Sequence, residues 1–197
     1  MIPVFDGHND TLLALLESPS RSFADAKGAG HLDLVRAREG GFVGGLFAMF
    51  APDRNGLVGL SATPKDAVAR PHGPIDAHGA LHVTLRMFAL LRRLEADGHL
   101  RVATNAEQVE AARQAGVLAA VPHIEGAEAV LDEDVLEILH ALGLRSLGLV
   151  WSRPNVYGTG VPFGFPASPD VGAGLTARGI ALVEACDRLR IVVDVSH

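Results

Sequence analysis

At 197 residues, with 48% hydrophobic side chains and a mean hydropathy of +0.24, the sequence carries enough apolar content for a sizeable core and excludes a disordered chain. Its 23 acidic against 17 basic residues leave a formal charge of −6, which disfavours nucleic acid and anionic membrane surfaces as partners and suits a small cationic or zwitterionic ligand. A single cysteine, Cys186, permits no internal disulfide, no basic-then-apolar leader opens the chain, and no apolar run reaches about 18 residues, so a cytoplasmic protein without a membrane span is expected.

Residues 3–10, Pro-Val-Phe-Asp-Gly-His-Asn-Asp, turn an apolar run into a polar cluster and predict a buried strand ending at a site. If the strand persists through Asp10, the i and i+2 side chains of His8 and Asp10 share a face about 6.5 Å apart and can converge on one ion. A capped turn is the plainer reading of the same pair. Residues 11–17 suit a short helix, and residues 21–30, rich in Ser, Ala and Gly, a loop. Residues 41–50 predict a second buried strand whose paired glycines, Gly44 and Gly45, imply close backbone contact. The stretch from 51 to 74 reads as a long loop; His72, His78 and His82 near it read as solvated side chains before a metal cluster.

Apolar residues at three- and four-residue steps predict a helix from about Ile75 to Asp97, stopped by Gly98. Asn105 followed by Gln108 resembles a capping box for a short helix ending before Gly116. Residues 117–126, Val-Leu-Ala-Ala-Val-Pro-His-Ile-Glu-Gly, are the third strand, where Pro122 implies an unpaired position or a bulge. Glu125 at its carboxyl end is the better ligand candidate, and His123 reads as a hydrogen-bonded histidine behind it. Asp132 caps a helix through Leu142, and residues 146–151 form a fourth strand ending at Trp151, the only tryptophan, which suits either the core or an apolar wall for a ligand. A loop to Gly174 lacks a phosphate-binding signature and reads as a rim or lid. Thr176 opens a last helix, with Cys186 as a core thiol on its stripe, and residues 191–197 are a fifth strand ending in His197.

Alternation of strand and helix predicts an α/β fold with a parallel sheet covered on both faces. Strands one, three and five each run apolar and then end in His8 and Asp10, Glu125, and His197, which favours a β/α barrel, whose strand ends meet at one mouth, over a doubly wound sheet. A divalent cation would offset the cost of gathering such groups in a dry mouth.

Asp6-Gly7-His8-Asn9-Asp10, His123-Ile124-Glu125-Gly126, residues 149–160 and Asp194-Val195-Ser196-His197 resemble, in order, the signature segments of the zinc-dependent membrane dipeptidases, also called renal dipeptidases. The resemblance implies a TIM-like (β/α)8 barrel holding two zinc ions, with His8 and Asp10 on one ion, Glu125 bridging both and His197 on the second. It implies hydrolysis of dipeptides, with some members accepting D-residues or β-lactam rings. A two-metal site of this kind lowers the pKa of a bridging water from 15.7 towards about 7 and polarises the carbonyl it attacks. In animal members a substrate-contacting histidine aligns with Trp151, so Trp151 is the substrate-binding candidate here and that histidine contact is not carried over. The family's second histidine on the second ion, its substrate-binding arginine and its acidic proton-transfer residue come from later strands. A full barrel takes about 250 residues. The expectation is therefore one incomplete barrel domain over residues 1–197, about five strands of eight, forming the amino-terminal part of a longer enzyme and inactive alone, with an unpaired sheet edge that favours self-association. Two alternatives stand beside it: another metal-dependent hydrolase on the same barrel, acting on cyclic amides or phosphoesters, and a non-catalytic remnant that binds metal or a partner chain.

Overall fold

The computed structural model describes residues 2–25, 30–52, 73–162, 166 and 168–197. Along these the chain runs β1 (Val4–Asn9), α1 (Thr11–Glu17), α2 (Leu34–Glu39), β2 (Phe42–Phe50), α3 (Ala77–Ala96), β3 (Leu100–Val102), α4 (Ala106–Gln114), β4 (Leu118–Glu125), a 3-10 turn (Ala127–Ala129), α5 (Glu133–Ala141), β5 (Ser146–Gly148), α6 (Ala177–Leu189) and β6 (Val192–Asp194). His72 and most of the predicted loop after residue 50 lie outside the described residues; His78 and His82 are exposed on α3.

Every strand pairing is parallel, and the order β1-β2-β4-β5-β6 is a five-stranded path curled as half of a barrel. Strands buried on both faces need near-continuous apolar runs. That is the composition of β2 and β4, whose Phe47, Met49 and Ile124 are at most 1% exposed. They pack with Leu12 and Leu13 of α1, Met87 and Leu91 of α3, and Leu136 and Leu139 of α5 in one core cluster. The paired glycines of β2 do what their sequence implies. A Cβ on Gly44 would lie 2.3 Å from the Ala119 carbonyl oxygen of β4, and one on Gly45 2.8 Å from Asp6 of β1, so both neighbouring strands close in on bare backbone.

A sixth strand, β3, and the short helix α2 are additions to the sequence reading. β3 is three residues, Leu-Arg-Val, too short to show a period; it pairs with Leu118 to Ala120 only. β5 takes the same edge of β4 from His123 onward. Pro122, which has no N–H to donate, sits at this changeover, and its carbonyl accepts from Arg145 N–H at 3.1 Å. The expected unpaired position is thus found on that edge.

Helix starts follow their capping residues. Asp33, Asp76, Asn105, Asp132 and Thr176 each accept a hydrogen bond from the backbone N–H three residues on. Three predicted strand ends move inward. β1 stops at Asn9 because Asp10 is the N-cap residue of α1, β5 stops at Gly148 before Trp151, and β6 stops at Asp194, whose side chain accepts from the Ser196 N–H and bends the chain out of the sheet. Among the described residues no helix is long and apolar enough to cross a membrane.

Candidate metal centre

The carboxyl ends of the parallel strands all point to one rim, so residues distant in sequence meet there. β1 brings His8, β4 brings Glu125 as its last residue, and the turn after β6 brings His197. Glu125 is 9% exposed and stands between two histidines. Its Oε2 lies 3.5 Å from His8 Nε2, and its Oε1 lies 3.0 Å from His197 Nε2. Asp10, although beyond the strand, still turns its Oδ1 to 3.5 Å from His8 Nε2. One ligand atom each from His8, Asp10 and Glu125 fit within 4.8 Å of one another, while His197 joins through Glu125.

Negative charge around His8 favours its protonated ring. The hydrogen bond to Asp10 raises its pKa most, burial opposes this, and Glu125, Asp10 and Asp194 add to the rise. Burial holds His123 below the ordinary histidine range, helped by the nearby His8. Imidazoles and carboxylates converging at a partly dry rim are a donor set for zinc and similar divalent ions. The residues present therefore fit a divalent metal.

His197 is also gripped from behind, its Nδ1 lying 3.1 Å from the Ser152 hydroxyl. The tautomer with Nδ1–H donating to Ser152 leaves Nε2 free as a ligand. Trp151, half-buried, sits with its ring centroid 6.2 Å from that of His197 and 4.9 Å from that of Phe50 at the end of β2. The two aromatic rings form an apolar wall at the rim, and Trp151 also packs against the main core cluster.

Sequence reasoning missed the anchor behind this wall. Arg153 is 2% exposed, donates from Nε to Glu128 Oε1 at 2.7 Å and from Nη2 to the Ala51 carbonyl at 2.7 Å, and lies over the rings of Phe50 and Trp151. It ties together the segments following β2, β4 and β5. Glu128 reaches it because Gly126 takes a positive φ of 83° directly after Glu125. No local pattern marks a pair 25 residues apart; the one available signal is the glycine after Glu125. Asp194 was also passed over as an individual residue, although its Oδ2 lies 3.6 Å from His123 Nε2. His123 itself is fully buried and bonded through Nδ1 to the Ser146 hydroxyl at 2.9 Å, as expected of a hydrogen-bonded core histidine.

Comparison with known proteins bears on the fold and the family. A metallo peptidase from Rhodobacter sphaeroides, solved with a phosphinate mimic of the dipeptide L-Ala-D-Ala, is 45% identical with a TM-score of 0.88 over all of this chain and 59% of its own. A second solved metallo peptidase of family M19, dipeptidase AC, is 44% identical with a TM-score of 0.87, this chain covering 56% of it. An uncharacterised protein of Acinetobacter calcoaceticus is 36% identical over 211 residues, covering all of this chain and 64% of its own length. The chain thus spans less than two thirds of each of these relatives. The family profile of the membrane dipeptidases matches residues 1–197 from end to end, and the chain belongs to that family, peptidase family M19.

Proposed function

We propose that this chain carries most of a two-zinc centre for the hydrolysis of dipeptides, with His8 and Asp10 serving one ion, Glu125 both and His197 the second. The observation that carries this reading is the split of the Glu125 carboxylate, one oxygen towards His8 and the other towards His197. When bound, the two ions would supply Lewis acidity at the scissile carbonyl and a nucleophile from water at neutral pH.

The protein's own part is positioning. Glu125 fixes the separation of the two halves of the site from a strand end buried in the core. Ser152 orients the His197 ring. Trp151 and Phe50 exclude water from one side of the substrate, and Arg153 holds that wall in place. The ligand of the Rhodobacter relative favours a small dipeptide, including one with a D-residue at its carboxyl end, as the substrate class. We propose that hydrolysis needs more chain than these 197 residues, in keeping with the greater length of the relatives. The setting we propose is cytoplasmic, without nucleic acid or membrane partners.

The test is hydrolysis of L-Ala-D-Ala and a panel of L,L-dipeptides by the zinc-loaded full-length protein, beside Glu125→Gln. Wild type should turn over at least one dipeptide with two zinc ions bound, and Glu125→Gln should lose at least one ion together with activity. A fully loaded wild type inert on every dipeptide would overturn the substrate class. Two ions retained in Glu125→Gln would remove Glu125 from the bridging role.

A further inference from the structure

His123 is a fully buried histidine beside the metal centre that the proposed ligand set does not use. Its Nδ1 is occupied by Ser146, whereas its Nε2 is buried without a hydrogen-bond partner among the described residues. A buried polar nitrogen left unsatisfied is costly, so its surroundings call for explanation. The atom faces Asp194 Oδ2 at 3.6 Å. Asp194 in turn accepts from the Ser196 N–H at 2.9 Å and from the Ser196 hydroxyl at 3.0 Å, which fixes the turn leading to His197. In the ladder, Glu125 pairs with Gly148 and Gly148 with Asp194, so the position between the two carboxylates has no side chain. The relay therefore runs Ser146, His123, Asp194, Ser196 and His197, and it returns to Glu125 through His197 Nε2.

We propose that His123 is a positioning residue of the metal centre: with its proton on Nε2 it turns an N–H towards the Asp194 carboxylate across 3.6 Å and attracts it, and Asp194 sets the turn that brings His197 to Glu125. The proposal rests on the two-ion reading above. It assigns His123 and Asp194 to the ion on the His197 side. The ion held by His8 and Asp10 does not depend on this contact, although the His8 and His123 rings pack edge to face at a centroid distance of 5.5 Å. Phenylalanine at 123 keeps an aromatic ring against His8 and removes both ring nitrogens. Asparagine at 194 keeps an acceptor for His123, whereas alanine does not.

The experiment is a zinc titration of the full-length protein against a competing chelator, for wild type, His123→Phe, Asp194→Ala, Asp194→Asn and the double variant His123→Phe with Asp194→Ala. Wild type should bind two ions. His123→Phe and Asp194→Ala should each weaken one ion by about 10–100-fold, the range usual for residues that orient metal ligands, and leave the other unchanged. The double variant should be no worse than the weaker single, and Asp194→Asn should recover most of the loss. If wild type binds two ions and neither His123→Phe nor Asp194→Ala weakens one, the positioning role is wrong. Wild type binding fewer than two ions when zinc is in excess defeats the two-ion reading instead. Nitrogen-15 NMR of the His123 ring then decides the inference separately and also covers a His123→Phe variant that does not fold. A proton on Nε2, with its resonance moved by Asp194→Ala, is the expected result. An unprotonated Nε2 would make His123 a ligand or an acceptor and overturn the proposal.

Discussion

Replacing Arg153 by Met tests the anchor of the rim. The side chains of Arg153 and Glu128 are 1% and 3% exposed, and Glu128 Oε2 has no hydrogen-bond partner among the described residues, so Arg153 Nε is what compensates this buried carboxylate. Removing one partner of a buried ion pair typically costs about 3–5 kcal/mol, because the other charge stays buried and unpaired. For a domain of this size that lowers the melting temperature by roughly 6–20 °C. Removing the second charge too, in Arg153→Met with Glu128→Met, should return most of the loss. What remains is the Ala51 carbonyl hydrogen bond and the two ring contacts, worth together about 1–3 kcal/mol. The assay is urea unfolding of the full-length protein followed by far-ultraviolet circular dichroism, run as a double-variant cycle. A single variant that loses less than about 1 kcal/mol, or a cycle in which the two losses simply add, would refute the reasoning.

Gly126→Ala places a Cβ at a φ of +83° and 2.5 Å from Glu128 Oε2, so it should cost about 1–3 kcal/mol by calorimetry and weaken zinc loading through the adjacent Glu125. The Cys186 thiol, buried and pushed up to about 11 from an ordinary 9.0, should resist iodoacetamide at pH 8 in the native protein and react once unfolded in urea. Its stabilising contribution should be fully present below pH 9 and fade as pH rises through about 11, because over that window the unfolded chain gives up a proton the folded chain keeps; stability measured against pH in Cys186→Ala checks the sign. On the proposed ligand set a zinc ion would displace a proton from His8, whose pKa is raised above 6.5 chiefly by its hydrogen bond to Asp10, so zinc affinity should already fall as pH drops through the neutral region. Zinc affinity flat from pH 8 to pH 6 would contradict a His8 ligand.

The parts of this site legible in sequence were those written in strand chemistry. An apolar run that ends in His8, or in Glu125, announces a strand bringing a polar side chain to the rim, although β1 is largely exposed where a buried strand is expected. Asp10 reaches His8 from a helix cap and not from a strand. Gly44 and Gly45 were readable because only close backbone packing requires two glycines in a buried strand. β3 was not, since Leu100, Arg101 and Val102 are too few for a period and gain their strand character from the neighbouring β4. The Arg153 to Glu128 pair and the facing of His123 and Asp194 are tertiary: their members lie on different strand ends, and nothing local tells a buried arginine from a solvated one.

The central claim is that two ions share Glu125. Anomalous diffraction at the zinc edge from crystals of the full-length protein tests it directly. The account requires two peaks, one bounded by His8, Asp10 and Glu125 and the other by Glu125 and His197. A single peak, or a pair that does not have Glu125 between them, would contradict it.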